Sequence, residues 1–423
     1  DPASVESHLR DLAESGVTVL RLMLEYAQDR HRYLERPVGS FNPHVVCFWD
    51  DLIHLCEQVG LRLLLTPFDT YWTWLKWHAH PYNRKSGGPL DTPSRILLCR
   101  DARAAIKARL SFAVKRWGGS GAVFAWDLWN EIHIAQAENS ADCFPEFIAD
   151  LSDHVRKLEY RLFGKSHPQT VSIFGPELTD RPGLGLAEPI FRHRCIDFAS
   201  IHIYAHGTID DPKDTVAPAV AMARIVQNSI AEIRDGRPFF DSEHGPIHRY
   251  KDKRRTLPEA FDDEYFRHLQ WAHLAAGGSG GGMRWPNRSP HMLTSGMHAA
   301  QKAMAGFLPL IDWTTFDRRP VKIATPAGSP VHAIGCSSRS QAVVWVIRMD
   351  TIAEDGRLDR AARPIDLQLI VPGLDTGRYD VTAWDTLHGL SMGRAVLQNT
   401  SGTLSIPVER LTSDMALAVR QAR

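Results

Sequence analysis

The sequence lacks most of the features that assign a chain at a glance. Charge of one sign is missing, since 49 Lys and Arg balance 49 Asp and Glu over 423 residues. That removes the usual reason to expect nucleic acid or an anionic membrane as partner. No apolar run reaches the ~20 residues of a membrane-spanning helix. Cysteine is sparse, at positions 47, 56, 99, 143, 195 and 336, with no CxxC pair. A zinc ribbon and a small disulfide framework are therefore not indicated, and the thiols are expected to be mostly buried. There is no internal repeat and no low-complexity segment apart from GGSGGG at 277–282. That stretch lacks the Gly-Lys-Ser/Thr ending of a phosphate loop, so close packing at the start of a strand is its expected role. No signal peptide precedes the first amphipathic pattern (Val5, Leu9, Leu12), so any targeting segment is lost or never existed. Location is left open, with a secreted or periplasmic one favoured.

What is present is a regular alternation. Down to about residue 310, short β-rich apolar runs alternate with helix-period segments, the signature of βα units and a parallel sheet. Strands are expected near 17–23, 61–67, 122–129, 170–175, 197–204, 238–242 and 281–285, with helices at 45–59, 101–117, 143–163, 214–234, 258–276 and 295–307. Gly16, Gly60 and Gly236 sit where helices should stop. The fold class expected is α/β, a (β/α)8 barrel whose first strand is absent from this chain; an open seven-stranded doubly wound sheet is the alternative. Beyond about residue 315 the pattern becomes short alternating strands (VHAIGC, AVVWVIRM, IDLQLIV, YDVTAWD, GTLSIPV, MALAVR) with turns at Pro372-Gly373, Thr376-Gly377 and His388-Gly389. This reads as an antiparallel β-sandwich. The expected domains are thus 1–314, catalytic, and 315–423, a sandwich that packs or spaces and to which no site is assigned.

In a parallel barrel the active site lies at the carboxyl ends of the strands. The polar residues expected there are Arg21, Asp69, Asn130, Glu131, Glu177, His202, Tyr204, Glu243 and Arg284, with Trp285. Glu131 and Glu243 stand about 110 residues apart, roughly three βα units, which puts them on the fourth and seventh strands of such a barrel. Paired carboxylates across a barrel mouth suit glycoside hydrolysis, one as general acid and the other as nucleophile when about 5–5.5 Å separates them. The competing reading of any single strand-end Glu is a surface or salt-bridged residue.

WDLWNE (126–131), FDSEHG (240–245) and His202-Ile-Tyr204 resemble, in order and spacing, the strand-four, strand-seven and strand-six motifs of the clan A retaining glycosidases, and most closely those of glycoside hydrolase family 5, the cellulase and mannanase family. Arg21 matches that family's strand-two Arg and Trp285 its strand-eight Trp, and the resemblance covers roughly residues 5–310. PYNRKSGGP (81–89) is similar to a loop of mannanase-like members. The resemblance implies Glu131 as acid/base, Glu243 as nucleophile, Asn130 on the sugar 2-hydroxyl, and Arg21, His202, Tyr204 and Trp285 around the reacting sugar. Arg21 and Tyr204 are then expected to hydrogen-bond Glu243, and neighbouring negative charge with a Trp-rich wall to raise the pKa of Glu131. Read on their own, His202 is equally a satisfied structural group and Arg21 an ion-pair partner for Glu25 or another acid. The chain departs from the family at TPFDTYW, which lacks the strand-three His; Asp69 or Tyr71 is the candidate substitute. His follows Glu243 where an aromatic is common.

Twelve Trp and nine Tyr exceed what a core needs, and several crowd into YWTWLKWHAHPY (71–82). Sugar CH faces stack on such rings, so Trp72 and Trp74 are expected at the cleft rim, against the alternative of a hydrophobic cluster under a loop. His78 and His80 lie beside them without a carboxylate set. No metal and no cofactor are expected. The expected partner is an oligo- or polysaccharide, with β-mannan or β-glucan as the leading substrates; sugar, linkage and endo or exo action are open, as is oligomeric state. Alternatives are an inactive carbohydrate-binding barrel and an unrelated α/β enzyme with two coincidental glutamates.

Overall fold

The computed structural model describes residues 2–25, 33–205, 208–247, 256–285, 288 and 291–422. The chain forms two compact units: Asp1–Ala13 with Val17–His202 and Glu232–Ser242, and Glu14–Gly16 with Ile203–Ala231 and Glu243–Arg423.

The first unit opens on helix α1 (Pro2–Glu14), which buries Leu9 and Leu12 and leaves Val5 exposed. Strands β1 (Val19–Met23), β2 (Arg62–Thr66), β3 (Val123–Asp127) and β4 (Gln169–Thr170) follow, in the sheet order β1-β2-β3-β4. Pairing is parallel, Val19 opposite Arg62 and Leu63 opposite Val123. Parallel strands need a crossover between them, and helices α2 (Pro43–Val59), α4 (Arg100–Trp117) and α5 (Phe144–Phe163) supply it, with short α3 (Thr70–Leu75) after β2. Helix α2 shows the local logic. Asn42 caps it by accepting the His44 N–H, Pro43 takes the first turn, and Gly60, at φ 87°, ends it by donating to Cys56 and Glu57 carbonyls, a conformation that costs other residues more. Beyond Val171 come β5 (Ser172–Phe174), short α6 (Pro176–Asp180), β6 (Ala199–Ala205) and β7 (Phe239–Pro246), the last two running on into residues of the second unit, to which helix α7 (Val216–Glu232) belongs up to Ala231; these strands take the order β5-β6-β7. Leu64, Ala125 and Phe198 pack together between strands with Val19 and Phe240. Trp126 and Trp129 are fully buried, Trp126 donating to Glu159 at 2.8 Å and Trp129 to Thr70 at 2.9 Å, whereas Phe124 is 42% exposed.

The second unit contains helices α8 (Glu259–Ala275) and α9 (Ser295–Phe307) and an antiparallel sandwich. Its strands are β8 (Arg319–Val321), β9 (Val331–Ser337), β10 (Gln341–Arg348), β11 (Ile365–Pro372), β12 (Gly377–Asp385), β13 (Leu390–Asn399), β14 (Thr403–Leu411) and β15 (Asp414–Gln421). Six form the sheet β13-β12-β15-β10-β9-β8, and β11 pairs with β14. Alternate residues of these strands fill one core, including Val344, Val346, Leu369, Tyr379, Ile406 and Leu417. Helix α8 packs against α9, β9 and β10, which is why it is buried along almost its whole length. Arg267 on α8 reaches Asp414 of β15 at 2.7 Å, both side chains buried, and Trp345 also donates to Asp414.

Several expectations change here. The run 281–285 is no strand; it makes one parallel bridge, Arg284 to His244, because Gly280 and Gly282 adopt positive φ and break the extended run. Its close-packing role holds, since a Cβ on Gly278 or Gly281 would strike His273 or Gln270. Two strands escaped the periodicity. Strand β13 is exposed along nearly all of its length and so carries no apolar alternation, and β8 is three residues long. Of the six thiols only Cys56 and Cys336 are buried. Gly236 lies four residues beyond the end of α7, in the turn that follows, at φ 76°.

Candidate active site

In the first unit polar side chains of β1, β2, β3, β5 and β6 converge on one hydrogen-bonded network. Its hub is Asp127, the last residue of β3, fully buried. Burying a carboxylate is tolerable only when donors surround it. Arg21 of β1 donates to Asp127 Oδ2 at 2.8 Å, Ser172 of β5 donates through both its N–H at 3.1 Å and its Oγ at 2.9 Å, and Thr66 of β2 approaches at 3.4 Å. Arg21 is thus an ion-pair partner of Asp127 and not of Glu25, which pairs with Arg109 instead. The same Arg21 donates to Asn130 Oδ1, and Asn130 Nδ2 donates to Asp69 Oδ1.

Glu131 leaves the strand in a left-handed conformation, φ 48°, which costs a non-glycine residue roughly 1 kcal/mol or more. Its N–H donates to Ser172 Oγ at 3.1 Å, so the Asp127–Ser172 pair holds the turn that presents the carboxyl. Glu131 Oε1 lies 2.7 Å from Nδ1 of His202, whose ring is fully buried, while the Glu131 side chain keeps 21% of its surface accessible. Burial, with Asp127 and Glu177 adding negative charge against the opposing pull of Arg21, pushes the Glu131 carboxyl up to about 7. The raised value matches the expectation, but the cause differs in emphasis: desolvation leads, and the neighbouring carboxylates add to it. Glu177, at the start of α6, sits 3.5 Å from His133 and 3.4 Å from Arg181.

Asp69 and the aromatic stretch are placed as follows. Asp69 is 1% exposed and caps α3, its Oδ2 accepting the Trp72 N–H at 2.7 Å. Trp74 and Tyr71 are each 42% exposed, Trp72 is half-buried with Lys76 6.0 Å over its ring, and His80 is buried. The stretch therefore divides between solvent and core. Sequence reasoning passed over a second buried group: Arg109 of α4 is clasped by Glu25 and by Glu35 at 2.7 Å, and packs between the rings of Phe68 and Tyr82 at 4.6 and 5.1 Å. One Arg among the four of α4 carries no local signal, since its acids lie 84 and 74 residues away.

In the second unit, Tyr204 at the end of β6 donates to Glu243 Oε1 at 2.6 Å, as expected. His244 is fully buried, its backbone joined to Met283 and Trp285; burial, with the Arg284 charge, drives its imidazole down to about 3, so it is a neutral core residue. Trp285, half-buried, takes its place through its N–H to the His244 carbonyl at 2.8 Å. Arg284 is buried and donates to Asp262 of α8, which also accepts Arg288. That pairing makes Arg284 an anchor of the bridge to His244.

The fold is that of the clan A barrel glycoside hydrolases, a (β/α) barrel carrying a β-sandwich, which sets the open doubly wound sheet aside. Among solved structures the chain is similar to a protein described as a glycoside hydrolase, at TM-score 0.59 and 12% identity, over 100% of this chain and 89% of that one. It is similar also to a family 5 glycoside hydrolase from Bacteroides vulgatus (TM-score 0.59, 12% identity, 100% and 86% covered) and to an endo-beta-1,4-mannanase from Thermotoga petrophila (0.56, 13%, 97% and 88%). No family model matches the sequence, and no curated protein matches it.

Proposed function

We propose that the protein is a retaining glycoside hydrolase that cleaves β-glycosidic bonds of an oligo- or polysaccharide, with β-mannan or β-glucan as substrate class. Residues 1–314 form its catalytic barrel and 315–423 its sandwich. The observation that carries the reading is the Glu131 carboxyl, raised to about 7 beside His202 at 2.7 Å. A carboxyl that stays protonated near neutrality is what a general acid at a leaving oxygen requires. Glu243 is the nucleophile, with the Tyr204 hydroxyl 2.6 Å from its Oε1. The phenol fixes the direction of the carboxyl that attacks.

The reaction runs in two displacements. Glu243 attacks the anomeric carbon as the C–O bond to the leaving group breaks, and Glu131 delivers its proton to the departing oxygen. Glu131, now a carboxylate, takes a proton from water as that water attacks the anomeric carbon and releases Glu243. Asn130 hydrogen-bonds the sugar 2-hydroxyl, His202 orients Glu131, and Arg21 holds Asn130. Trp285, Trp72 and Trp74 offer faces to the sugars. The barrel-hydrolase fold and the mannanase among similar structures support the substrate class.

Incubation with 2-deoxy-2-fluoro glycosides bearing activated leaving groups tests this. A stable covalent adduct on Glu243 is expected by mass spectrometry of peptides. Lack of an adduct and of hydrolysis across a panel of β-manno, β-gluco and β-xylo substrates would leave a carbohydrate-binding barrel as the better description.

A further inference from the structure

We propose that Asp69 is a positioning residue that fixes the amide of Asn130 in one of its two flips, and so sets which atom meets the sugar. The inference rests on the glycosidase reading only for the sugar, and not for the amide.

An Asn amide rotated by half a turn exchanges an acceptor for a donor at almost no steric cost. Here the two sides of the amide differ in charge. Arg21, a cation, donates to Asn130 Oδ1, and Asp69, an acid, accepts from Asn130 Nδ2. In the reversed flip the NH2 would face the guanidinium and the carbonyl would face the carboxylate, losing two charge-assisted hydrogen bonds for two repulsions. The backbone brings the pair together: Asp69 and Asn130 form a parallel bridge, and Asn130 N–H donates to Phe68 O at 3.0 Å. With one Nδ2 hydrogen on Asp69, the second is left in a defined direction for a ligand oxygen.

Asp69 is 1% exposed, so it acts through Asn130 and not on substrate. Its other oxygen caps α3 at the Trp72 N–H, 2.7 Å away, and α3 carries the exposed Tyr71 and Trp74. One carboxylate thus ties the amide to the helix that bears those rings. Burial, with the charges of Glu131 and Glu25, pushes the Asp69 carboxyl up to about 7, while the Trp72 and Asn130 hydrogen bonds draw it down.

The variant Asp69→Ser separates capping from positioning. Serine retains a hydroxyl for the helix cap but is too short to hold the amide. For D69S we expect about a 10-fold loss of kcat/KM, one hydrogen bond's worth, on an aryl β-glycoside and less than about 3-fold on its 2-deoxy counterpart. The double variant D69S/N130A should be no worse than N130A, as coupled residues behave. Equal losses on both substrates, or additive losses in the double variant, would overturn the proposal. A second readout needs no activity. With 15N-asparagine labelling, the Asn130 side-chain amide, identified by its loss in N130A, should give two distinct, slowly exchanging protons in the wild type and rapidly exchanging ones in D69S. Unchanged amide protons in D69S would refute the amide clamp even if the protein hydrolyses glycosides, and a protein that hydrolyses none but shows the amide change would refute the function alone.

Discussion

His202 Nδ1 lies 2.7 Å from Glu131 Oε1, joining a buried imidazole on β6 to the carboxyl that follows β3. The contact gives the acid a fixed orientation through a residue 71 positions away. Replacement His202→Phe keeps an aromatic ring and removes both nitrogens. We expect kcat/KM on a substrate with a poor leaving group to fall about 10-fold or more, with a smaller loss on a dinitrophenyl glycoside, measured by steady-state kinetics of both. Equal losses on the two would mean that the ring only fills space.

The Glu131 carboxyl at about 7 implies a basic limb in the pH profile. Activity should fall as pH rises through about 7, where the acid loses its proton. Asp69 is held at about the same value, so the limb reports the pair and not one residue. Glu131→Ala should remove the Glu131 contribution to that limb for activated substrates, seen in kcat/KM against pH.

The same shift bears on stability, and its sign is fixed by the raised folded value. A carboxyl whose pKa rises from 4.5 to about 7 on folding stabilises the fold fully below 4.5, and that contribution is lost as pH rises to about 7. Glu131→Gln removes the loss. Its Tm should exceed the wild-type value by a few degrees at pH 8 and match it at pH 4, by differential scanning calorimetry. A gain that is equal at both pH values would point to packing instead.

Glu131→Ala should slow poor leaving groups by about 100-fold to 10,000-fold and activated ones far less. Azide should restore rate on the activated substrate and yield the β-glycosyl azide, identified by NMR. An α-azide would show that the reaction inverts.

Tyr204→Phe removes the donor 2.6 Å from Glu243. A hydrogen bond to a charged group contributes about 1.5–3 kcal/mol, so the rate of adduct formation with the fluoro glycoside should drop roughly 10-fold to 100-fold. Stopped-flow measurement of the aryl burst checks this. A full-rate burst would take Tyr204 out of the nucleophile's environment.

Arg109→Met leaves Glu25 and Glu35 buried without their cation. Breaking a buried pair in this way costs about 3–5 kcal/mol, and burial already pushes Glu25 upward. Urea unfolding should show the loss at pH 7 and a smaller one at pH 5, where the Glu25 carboxyl takes up a proton more readily.

The sequence by itself determined the alternation of strands and helices, the sandwich after residue 315 and the polar strand ends. These are local properties: a period of two or near 3.6, a Gly at φ above zero, a carboxylate after an apolar run. Six of the seven expected strands and all six expected helices are present among the described residues, and WDLWNE and FDSEHG stand at the ends of β3 and β7 or within them. Partners were a different matter, because a hydrogen bond depends on which strand ends meet. That Arg21 serves Asp127 and Asn130, that Ser172 holds the backbone of Glu131, and that Asp69 turns away from solvent toward an amide, involve residues separated by 41 to 109 positions. The weak cases follow from the same physics. Strand β13 has no buried face to write a pattern, and 281–285 had the composition of a strand with glycines that turn the chain. The sequence set which residues stand at the strand ends; only the packed sheet decided which of them touch.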